Sequence, residues 1–570
     1  MEKIKGLPTS DGIAIGTVFK WNRANERSGN SHISPDKTEQ EIIKYLDALD
    51  EAKSQIKSII DSADGKHVKD IINVQLAICS DPYLEHLIHL GIFKKFYSAS
   101  KALEEAFIQI EKDFAYTDEY FKERLTDISD VIERILSILD GKTPGNIYTA
   151  ENIILVAHHL APSDVATFDT TKVLGFVTDV GGRTSHASIL ARDMGIPAIV
   201  NCKTFYNYAE DGSLIIIDGT SGEIILNPSV QVVDEYKEKQ IQYRIKKESY
   251  LSSNNIDAVT VDGRLVTIEA NVGSPDDISL AAENGAKGIG LFRTEFAIIN
   301  DYNIYSEDMQ TALYMDAIKL MSGHPITIRT YDVGGDKGYI NKNDIFEQPN
   351  PALGYRGIRY SLDELTMLKS QIRAILRASA HGKVRILFPM IISLKEILAC
   401  KNHIKQCMVE LCSEGLPYDE CIEFGIMVET PAAVIMADTF IQHVDFFSIG
   451  TNDLTQHILA VDRTNAMVGE MFNIEHPAVI RSIKHVTDVA HKYGRQVEVC
   501  GEFTHKRYVA LLFLGMDIDR FSMGSGYIPE FKKIFMDSSY EYAKTVAEGV
   551  VNLSTVDEVN SYLENMFGNI

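Results

Sequence analysis

The sequence has few cysteines and no segment long enough to cross a membrane. Its seven cysteines, an odd number among 570 residues, include no C-x-x-C pair, which favours free thiols in a reducing compartment. No apolar run approaches the ~20 residues that span a bilayer. The first residues, MEKIKGLPTSDG, contain no long apolar stretch either. We therefore expect a cytoplasmic protein without membrane insertion.

Basic residues are outnumbered by acidic ones, and nucleotide-binding motifs are missing from the sequence. The net charge of −24 argues against nucleic acid or an anionic membrane as the main partner, and it permits a basic protein partner. No G-x-x-x-x-G-K-[ST] loop and no protein-kinase motif set is present, so the chain carries no familiar ATP site. The apolar content of 45% is that of a globular protein, and the length predicts about three domains.

The first part of the chain reads as an α/β domain interrupted by helices. Strand signals in residues 1–20 return within residues 145–228, whereas apolar residues recur at helical spacing from about 35 to 140. The simplest architecture joins 1–20 to 145–228 and inserts a helical domain, residues 21–144. A charged helical linker, residues 229–258, follows.

From residue 259 to residue 570, short apolar runs alternate with helical stretches. Eight strand candidates in this pattern predict a (β/α)8 barrel of the TIM type, whose active site lies at the C-terminal strand ends. The candidates are residues 265–271, 288–292, 326–332, 384–390, 424–429, 446–453, 497–502 and 519–524.

Arginines cluster at or just after these predicted strand ends. A guanidinium fork suits the oxygens of carboxylate and phosphate groups. One arginine alone favours a surface salt bridge, but several at barrel ends favour an anion-binding mouth. The arginines in question are Arg293, Arg329, Arg356 and Arg463.

Two carboxylates and one thiol complete the predicted mouth. Glu429 and Asp453 end neighbouring strand candidates, and sparse oxygen ligands suit Mg²⁺, which keeps several waters. Alternatively, each carboxylate caps the helix that follows it. Cys500, in VEVCGE, is either a proton donor to an enolate carbon or core filler. The Gly334-Gly335-Asp336-Lys337 segment is equally a phosphate contact or a tight turn.

The hexapeptide GGRTSH, residues 181–186, follows a predicted strand in the α/β domain. The simpler interpretation of His186 is a loop histidine. The alternative is a phosphoryl acceptor, because imidazole is nucleophilic at neutral pH. Thr184 and Ser185 would donate hydrogen bonds to the phosphoryl oxygens, and Arg183 or Arg192 would add charge.

These segments together resemble enzyme I of the phosphoenolpyruvate-dependent sugar phosphotransferase system. The resemblance covers essentially the whole chain, in the family's order. It is carried by SDGIAIG, SDPYL, RLTDISDVIERIL, GGRTSHASILARDMGIPAIV, GIGLFRTEF, IRTYDVGGDKG, NPALGYRGIR, GIMVETPAA, FFSIGTNDLTQHILAVDR and HPAVIRSIK.

The resemblance implies a phosphotransferase that moves phosphate from phosphoenolpyruvate to His186, releasing pyruvate, and then to a histidine of the carrier protein HPr. It implies that Cys500 donates the proton and that the helical domain docks HPr. The barrel would join two copies in a homodimer, and the histidine domain would swing between barrel and carrier. By matched motif, the substrate is bound by Arg293, Arg329, Asn452 and Arg463, and Mg²⁺ by Glu429 and Asp453.

Three segments differ from the family's usual sequence, namely RTEFAIINDYN, CGEFTHKR and VAHHLAPSD. The first two are expected at the barrel mouth. In the third, His158 and His159 are expected on the surface.

Two other functions were weighed against enzyme I. A pyruvate-phosphate dikinase or phosphoenolpyruvate synthase needs an ATP-grasp module ahead of the histidine, where only about 180 residues stand. A catalytically inactive regulatory binder would not need His186 or the complete arginine, carboxylate and thiol set.

Overall fold

The computed structural model has two compact units, residues 1–246 and 247–570. The structure describes residues 2–21, 32–62, 75–113, 119–139, 152–160, 172–182, 188, 191, 195–251, 254, 256–295, 306–334, 350–463, 465, 467–501, 503 and 506–568.

The first unit contains an eight-stranded sheet and a helical bundle. The strands are β1 (Glu2–Lys5), β2 (Leu7–Ser10), β3 (Ile13–Trp21), β4 (Ile153–Ala157), β5 (Val173–Thr178), β6 (Ala198–Val200), β7 (Leu214–Asp218) and β8 (Glu223–Leu226). The helices are α1 (Thr38–Ser62), α2 (Pro82–Lys95), α3 (Ala99–Asp113), α4 (Glu119–Leu139), α5 (Phe205–Tyr208) and α6 (Val230–Leu251).

The sheet runs in the order β1-β8-β7-β3-β4-β5-β6-β2. Strand β3 pairs parallel to β4 and antiparallel to β7, so the N-terminal segment and the segment after the helices share one sheet. Helices α1 to α4 lie between β3 and β4 and bury their own apolar cluster, including Ile56, Ile88, Leu103 and Ile135. The inserted helical bundle predicted from the sequence is therefore confirmed.

Local sequence signals explain where several elements begin. Asp81 accepts hydrogen bonds from the backbone of Tyr83 and Leu84 at the start of α2, with Pro82 in the first turn. Helix α6, predicted as part of a linker, packs its first turns on the sheet. There the Tyr236 hydroxyl donates to Glu223 Oε2 at 2.7 Å, and the ring lies among Ile216 and Ile225.

The second unit is a closed parallel barrel. Its strands are β9 (Ala258–Val259), β10 (Leu265–Val272), β11 (Ile289–Arg293), β12 (Ile326–Arg329), β13 (Val384–Phe388), β14 (Glu423–Val428), β15 (Phe446–Gly450), β16 (Gln496–Cys500) and β17 (Arg520–Gly524). Strands β10 to β17 pair in chain order, and β17 returns to pair with β10, while β9 pairs antiparallel with β10. This confirms the predicted eight-stranded barrel.

Helices surround the barrel. They are α7 (Pro275–Glu283), α8 (Glu307–Leu320), α9 (Ile358–Asp363), α10 (Leu365–Ser379), α11 (Leu394–Ser413), α12 (Pro431–Ile435), α13 (Ala437–Phe440), α14 (Thr451–Leu459), α15 (Pro477–Lys492), α16 (Arg507–Gly515), α17 (Ile528–Met536), α18 (Tyr540–Val550) and α19 (Val556–Phe567). Capping boxes start three of them, at Ser274, Ser393 and Thr555. None of the helices described in either unit is both long and apolar enough to span a bilayer.

Side chains alternate across each barrel strand. In β16, Val497 and Val499 join the apolar layer between strands and helices, whereas Cys500 lies in a small cluster with Leu291, Leu387, Met427 and Phe446. Residues of the same parity therefore face the barrel interior. Five predicted strands end earlier than expected, because the chain leaves the sheet at the mouth and, after β15, enters α14 at once.

Candidate active site

The arginines at the ends of two neighbouring strands lie side by side. Arg293 ends β11 and is in register with Arg329, which ends β12. Arg329 is 3% exposed. Its Nη1 lies 3.1 Å from Asp332 Oδ2, and its Nη2 donates to Glu295. Burial lowers the pKa of Arg329, but Glu295 and Asp332 outweigh burial and raise it overall, so the guanidinium stays charged.

Arg356 lies deepest in the mouth and is fully buried. Its Nη2 donates to Asp332 Oδ2 at 2.9 Å and to Asp453 Oδ2 at 3.3 Å. A backbone bridge to Gly334 holds the Arg356 segment in place. Gly334 has φ +99°, and a Cβ there would meet the Tyr355 carbonyl oxygen at 2.3 Å, so only glycine fits this approach.

Glu429 follows β14 directly and does not cap the next helix. Thr430 does so instead, accepting from the Ala433 amide at 3.1 Å. Glu429 Oε1 accepts from the Met390 amide at 2.6 Å, whereas Oε2 is buried with no hydrogen-bond partner. Burial, followed by the neighbouring carboxylates of Asp453 and Asp332, raises the pKa of Glu429 to about 7.

Asp453 lies in the first turn of α14 and is 8% exposed. The pair of carboxylates, with one orphan oxygen, fits a hard cation that completes its coordination with water and substrate oxygens. Among the described residues there is no group of three or more histidine, cysteine or acidic side chains arranged to hold a metal.

Cys500 ends β16 inside the barrel and is 1% exposed. Burial, together with the nearby Glu498 carboxylate, raises the pKa of the Cys500 thiol to about 12. Its Sγ donates towards the Ile449 carbonyl oxygen at 3.5 Å and accepts from Ser448 Oγ at 3.3 Å. The residue therefore holds its proton at neutral pH, below the arginines of the mouth.

Two other predicted substrate residues lie in or near α14. Asn452 is half-buried beside Asp453, and Arg463 is exposed four residues beyond the end of the helix. The backbone amide of Arg463 donates to Gln456 Oε1 at 3.2 Å. The structure thus connects Arg329 to Arg356 through Asp332 and Arg356 to Asp453, and it leaves the Arg463 side chain exposed.

The predicted phosphohistidine His186 and its neighbours Thr184 and Arg192 lie outside the described residues. The strand end that precedes them is described. There Asp179 accepts from the Tyr206 amide at 3.0 Å, and its Oδ2 lies 3.2 Å from His158 Nδ1. His158 and His159 are both exposed, as expected. Of the phosphate-contact candidates at 334–337, only Gly334 is described.

Sequence reasoning missed three polar residues around this site. His457 Nδ1 lies 2.7 Å from the Glu429 carbonyl oxygen, and Ser448 and Glu498 lie inside the barrel below Cys500. The last two could have been predicted from the strands VEVC and FFSIG. Glu498 lies two residues before Cys500, and residues two apart on a strand share a face. Ser448 is in register with Glu498 on the neighbouring strand.

Three family models match the chain in succession. The PEP-utilising enzyme N-terminal family matches residues 5–124, the mobile-domain family matches 149–222, and the PEP-binding-domain family matches 247–540. The last match alone covers more than half of the chain and all eight barrel strands.

Curated relatives match over nearly the whole length. The phosphoenolpyruvate-protein phosphotransferase of Buchnera aphidicola subsp. Schizaphis graminum (strain Sg) is 38% identical over 98% of this chain and 98% of its own length. That of Bacillus subtilis (strain 168) is 35% identical over 100% of both. A solution structure of enzyme I (nEIt) is 35% identical, covers 42% of this chain and 99% of its own, and has a TM-score of 0.38. The family models and the curated relatives confirm the sequence resemblance: the chain belongs to the phosphoenolpyruvate-protein phosphotransferases, the enzyme I family.

Proposed function

We propose that the protein transfers the phosphoryl group of phosphoenolpyruvate to His186, releases pyruvate, and passes the phosphoryl group to a histidine of HPr. The observation that carries this proposal is the mouth of the barrel. Buried Arg329 and Arg356 stand beside the orphan carboxylate oxygen of Glu429, within the residues that match a PEP-binding domain.

Phosphoenolpyruvate carries a carboxylate and a phosphate, and both need positive charge. Arg293, Arg329 and Arg356 supply it from the strand ends, and Asn452 and Arg463 would close on the substrate from the side of α14. Since Glu295 and Asp332 already orient Arg329, the positive charge is positioned before substrate arrives. Pre-oriented charge of this kind is the main source of catalysis in phosphoryl transfer.

Glu429 and Asp453 would hold Mg²⁺, which when bound neutralises part of the charge on the substrate phosphate. The support is the buried, unpartnered Oε2 of Glu429 beside a second carboxylate. Met390 and His457 fix the position of Glu429 through its Oε1 and its backbone carbonyl.

Loss of the phosphoryl group leaves the enolate of pyruvate, whose C3 carbon must gain a proton. We assign the donor as Cys500, which is buried and protonated at neutral pH. A thiol of high pKa is protonated when the enolate forms, so it is ready to act as general acid.

We assign the phosphorylated histidine to a domain of residues 1–20 and 145–228, supported there by Thr184 and Arg192. Residues 21–144 would dock HPr, residues 229–258 would link the parts, and residues 259–570 would bind substrate and join two copies in a homodimer. The histidine must visit both barrel and carrier, which requires its domain to swing. We place the protein in the cytoplasm, supported by its seven free cysteines.

The test incubates the full-length protein with Mg²⁺ and phosphoenolpyruvate labelled in its phosphate. We expect one acid-labile, alkali-stable label per chain, absent from His186→Ala and present in the control His158→Ala, which alters an exposed histidine of the same unit. Adding HPr should drain the label. Label that persists in His186→Ala, or a wild-type protein that takes none, would contradict the proposal.

A further inference from the structure

A hydrogen-bonded chain of polar side chains runs down the barrel interior from Cys500. Ser448 Oγ lies 3.3 Å from Cys500 Sγ and 3.4 Å from Glu498 Oε1. Ser448 and Glu498 are in register on adjacent strands β15 and β16, and both side chains are fully buried. One hydroxyl thus connects the thiol to a carboxyl group.

The far end of this chain is a cluster of charges. Arg385 Nη2 lies 3.1 Å from Glu269 Oε2 and 3.8 Å from Glu498 Oε2, and Arg520 Nη1 lies 2.9 Å from Glu269 Oε1. Burial, together with the neighbouring Glu269 carboxylate, raises the pKa of Glu498 well above its ordinary value. This favours a proton on the Glu498 carboxyl group.

We propose that Glu498 and Ser448 form a proton relay that returns a proton to the Cys500 thiolate after pyruvate has formed. The inference rests on the proposed function, because it needs Cys500 to act as the acid. It answers a requirement of that function: a thiol buried among Leu291, Leu387 and Met427 leaves a thiolate that is costly to keep in an apolar setting.

The protons balance as follows. The Cys500 S–H bond breaks as the C3–H bond of pyruvate forms, leaving a thiolate. The Ser448 hydroxyl proton moves to the sulfur while the Glu498 carboxyl proton moves to the Ser448 oxygen, leaving a Glu498 carboxylate beside Arg385. Solvent then returns one proton to the carboxyl pair at the Arg520 end, where the Arg520 side chain is 20% exposed.

The distance of 3.4 Å from Ser448 Oγ to Glu498 Oε1 is long for a hydrogen bond between oxygen atoms, whereas 3.3 Å to the Cys500 sulfur is ordinary. Catalytic hydrogen bonds are often long before substrate binds and shorten in the working complex. The relay therefore needs no rearrangement of strands, only a small movement of three interior side chains.

The experiment compares the first turnover with later ones, using the full-length protein, Mg²⁺ and labelled phosphoenolpyruvate, with HPr added for multiple turnovers. Ser448→Ala starts with a protonated Cys500, so we expect its first-turnover labelling of His186 to stay within about twofold of wild type. Its steady-state turnover should fall by about 100-fold, the size of a lost general acid–base contribution. Glu498→Gln should fall in the same direction, and Ser448→Thr, which keeps the hydroxyl, should recover most of the rate.

The matched control is Thr327→Val. Thr327 carries another buried hydroxyl, at an interior-facing position of a barrel strand, and this hydroxyl has no hydrogen-bond partner. Its removal should leave turnover within about twofold of wild type. In mixtures of H₂O and D₂O, the wild-type steady-state rate should curve with deuterium fraction, because several protons move together, and Ser448→Ala should lose that curvature.

Several outcomes would overturn the relay alone. One is that the wild type takes the label while the steady-state turnover of Ser448→Ala equals that of Thr327→Val. Another is an equal loss of first and later turnovers in Ser448→Ala, which would indicate that Ser448 only positions Cys500. If wild type takes no label at all, the proposed function fails instead. Should Glu498→Gln not fold, the Ser448 variants still decide.

Discussion

The barrel holds two clusters of buried charge that differ in composition. The interior cluster consists of two carboxyl groups, Glu269 and Glu498, and two guanidinium groups, Arg385 and Arg520. The mouth cluster sets two buried arginines, Arg329 and Arg356, against four carboxyl groups. These are Glu295, Asp332, Glu429 and Asp453.

A cluster with at least as many guanidinium groups as carboxylates needs no further cation, whereas a cluster with an excess of carboxylates does. The interior cluster therefore needs no cation and supports the barrel, although Glu498 Oε2 in it also lacks a hydrogen-bond partner. In the mouth cluster two carboxylate oxygens, Glu295 Oε2 and Glu429 Oε2, are buried without a hydrogen bond, which is costly unless a cation arrives. The difference indicates which cluster is built to receive a ligand.

The greatest loss of stability is expected when one carboxylate charge is removed from the interior cluster. Glu269→Gln should destabilise the barrel by about 3 kcal/mol, because it leaves Arg385 and Arg520 without the carboxylate that both contact. Urea unfolding followed by circular dichroism measures the loss. The only tryptophan, Trp21, lies in the first unit, so its fluorescence transition provides an internal control. A barrel transition that does not move would show that the interior charges contribute nothing.

The matched change in the mouth is Glu429→Gln. Without Mg²⁺ we expect stability to stay the same or rise by up to about 1 kcal/mol, because a buried carboxyl group crowded by Asp332 and Asp453 becomes a neutral amide. Labelling by phosphoenolpyruvate should fall by at least about 100-fold, the size of a lost electrostatic contribution. Back-transfer from phosphorylated HPr to His186 should persist. Equal loss of both half-reactions would contradict the assignment of Glu429 to the barrel step.

The smallest effect is expected for a charge pair on the outside of the barrel. His491 Nε2 lies 2.9 Å from Asp519 Oδ2, and this hydrogen bond raises the pKa of His491. When the pKa of a histidine is higher in the folded state, its contribution to stability is fully present at pH values below the pKa of the unfolded state, about 6.5. That contribution is lost as the pH rises through the pKa of the folded state. The stability difference between wild type and His491→Gln should therefore be below about 1 kcal/mol at pH 6 and shrink by pH 8. A difference that grows with pH would reverse the sign of the coupling.

Most of the fold was predicted correctly from sequence patterns. Parallel barrel strands are buried on both faces and read as short apolar runs, so all eight were found. In the first unit the sequence predicted only the two ranges that carry strands, 1–20 and 145–228, because strands such as β8, EIIL, are short and lie between turn residues. The mouth carboxylates and arginines were found because they follow strands whose ends meet at one rim.

The pairing of those side chains could not be read from the sequence. Arg356 contacts Asp332 and Asp453 through the bridge at Gly334, a contact between segments that no periodicity connects. The choice of Thr430 over Glu429 as helix cap depends on where the Met390 amide lies. Such pairings depend on tertiary position, whereas the residue types at the rim depend only on strand order.

The parallel pairing of β3 with β4 has a consequence for how the first unit folds. Trp21 is in register with Ala157, although the whole helical bundle separates them along the chain. Pairing strands so distant in sequence is slow while the intervening chain is disordered, and it is easier once that chain is compact. The bundle, which has its own apolar core, can form from local contacts, bring its two ends together and so hasten the closure of the sheet.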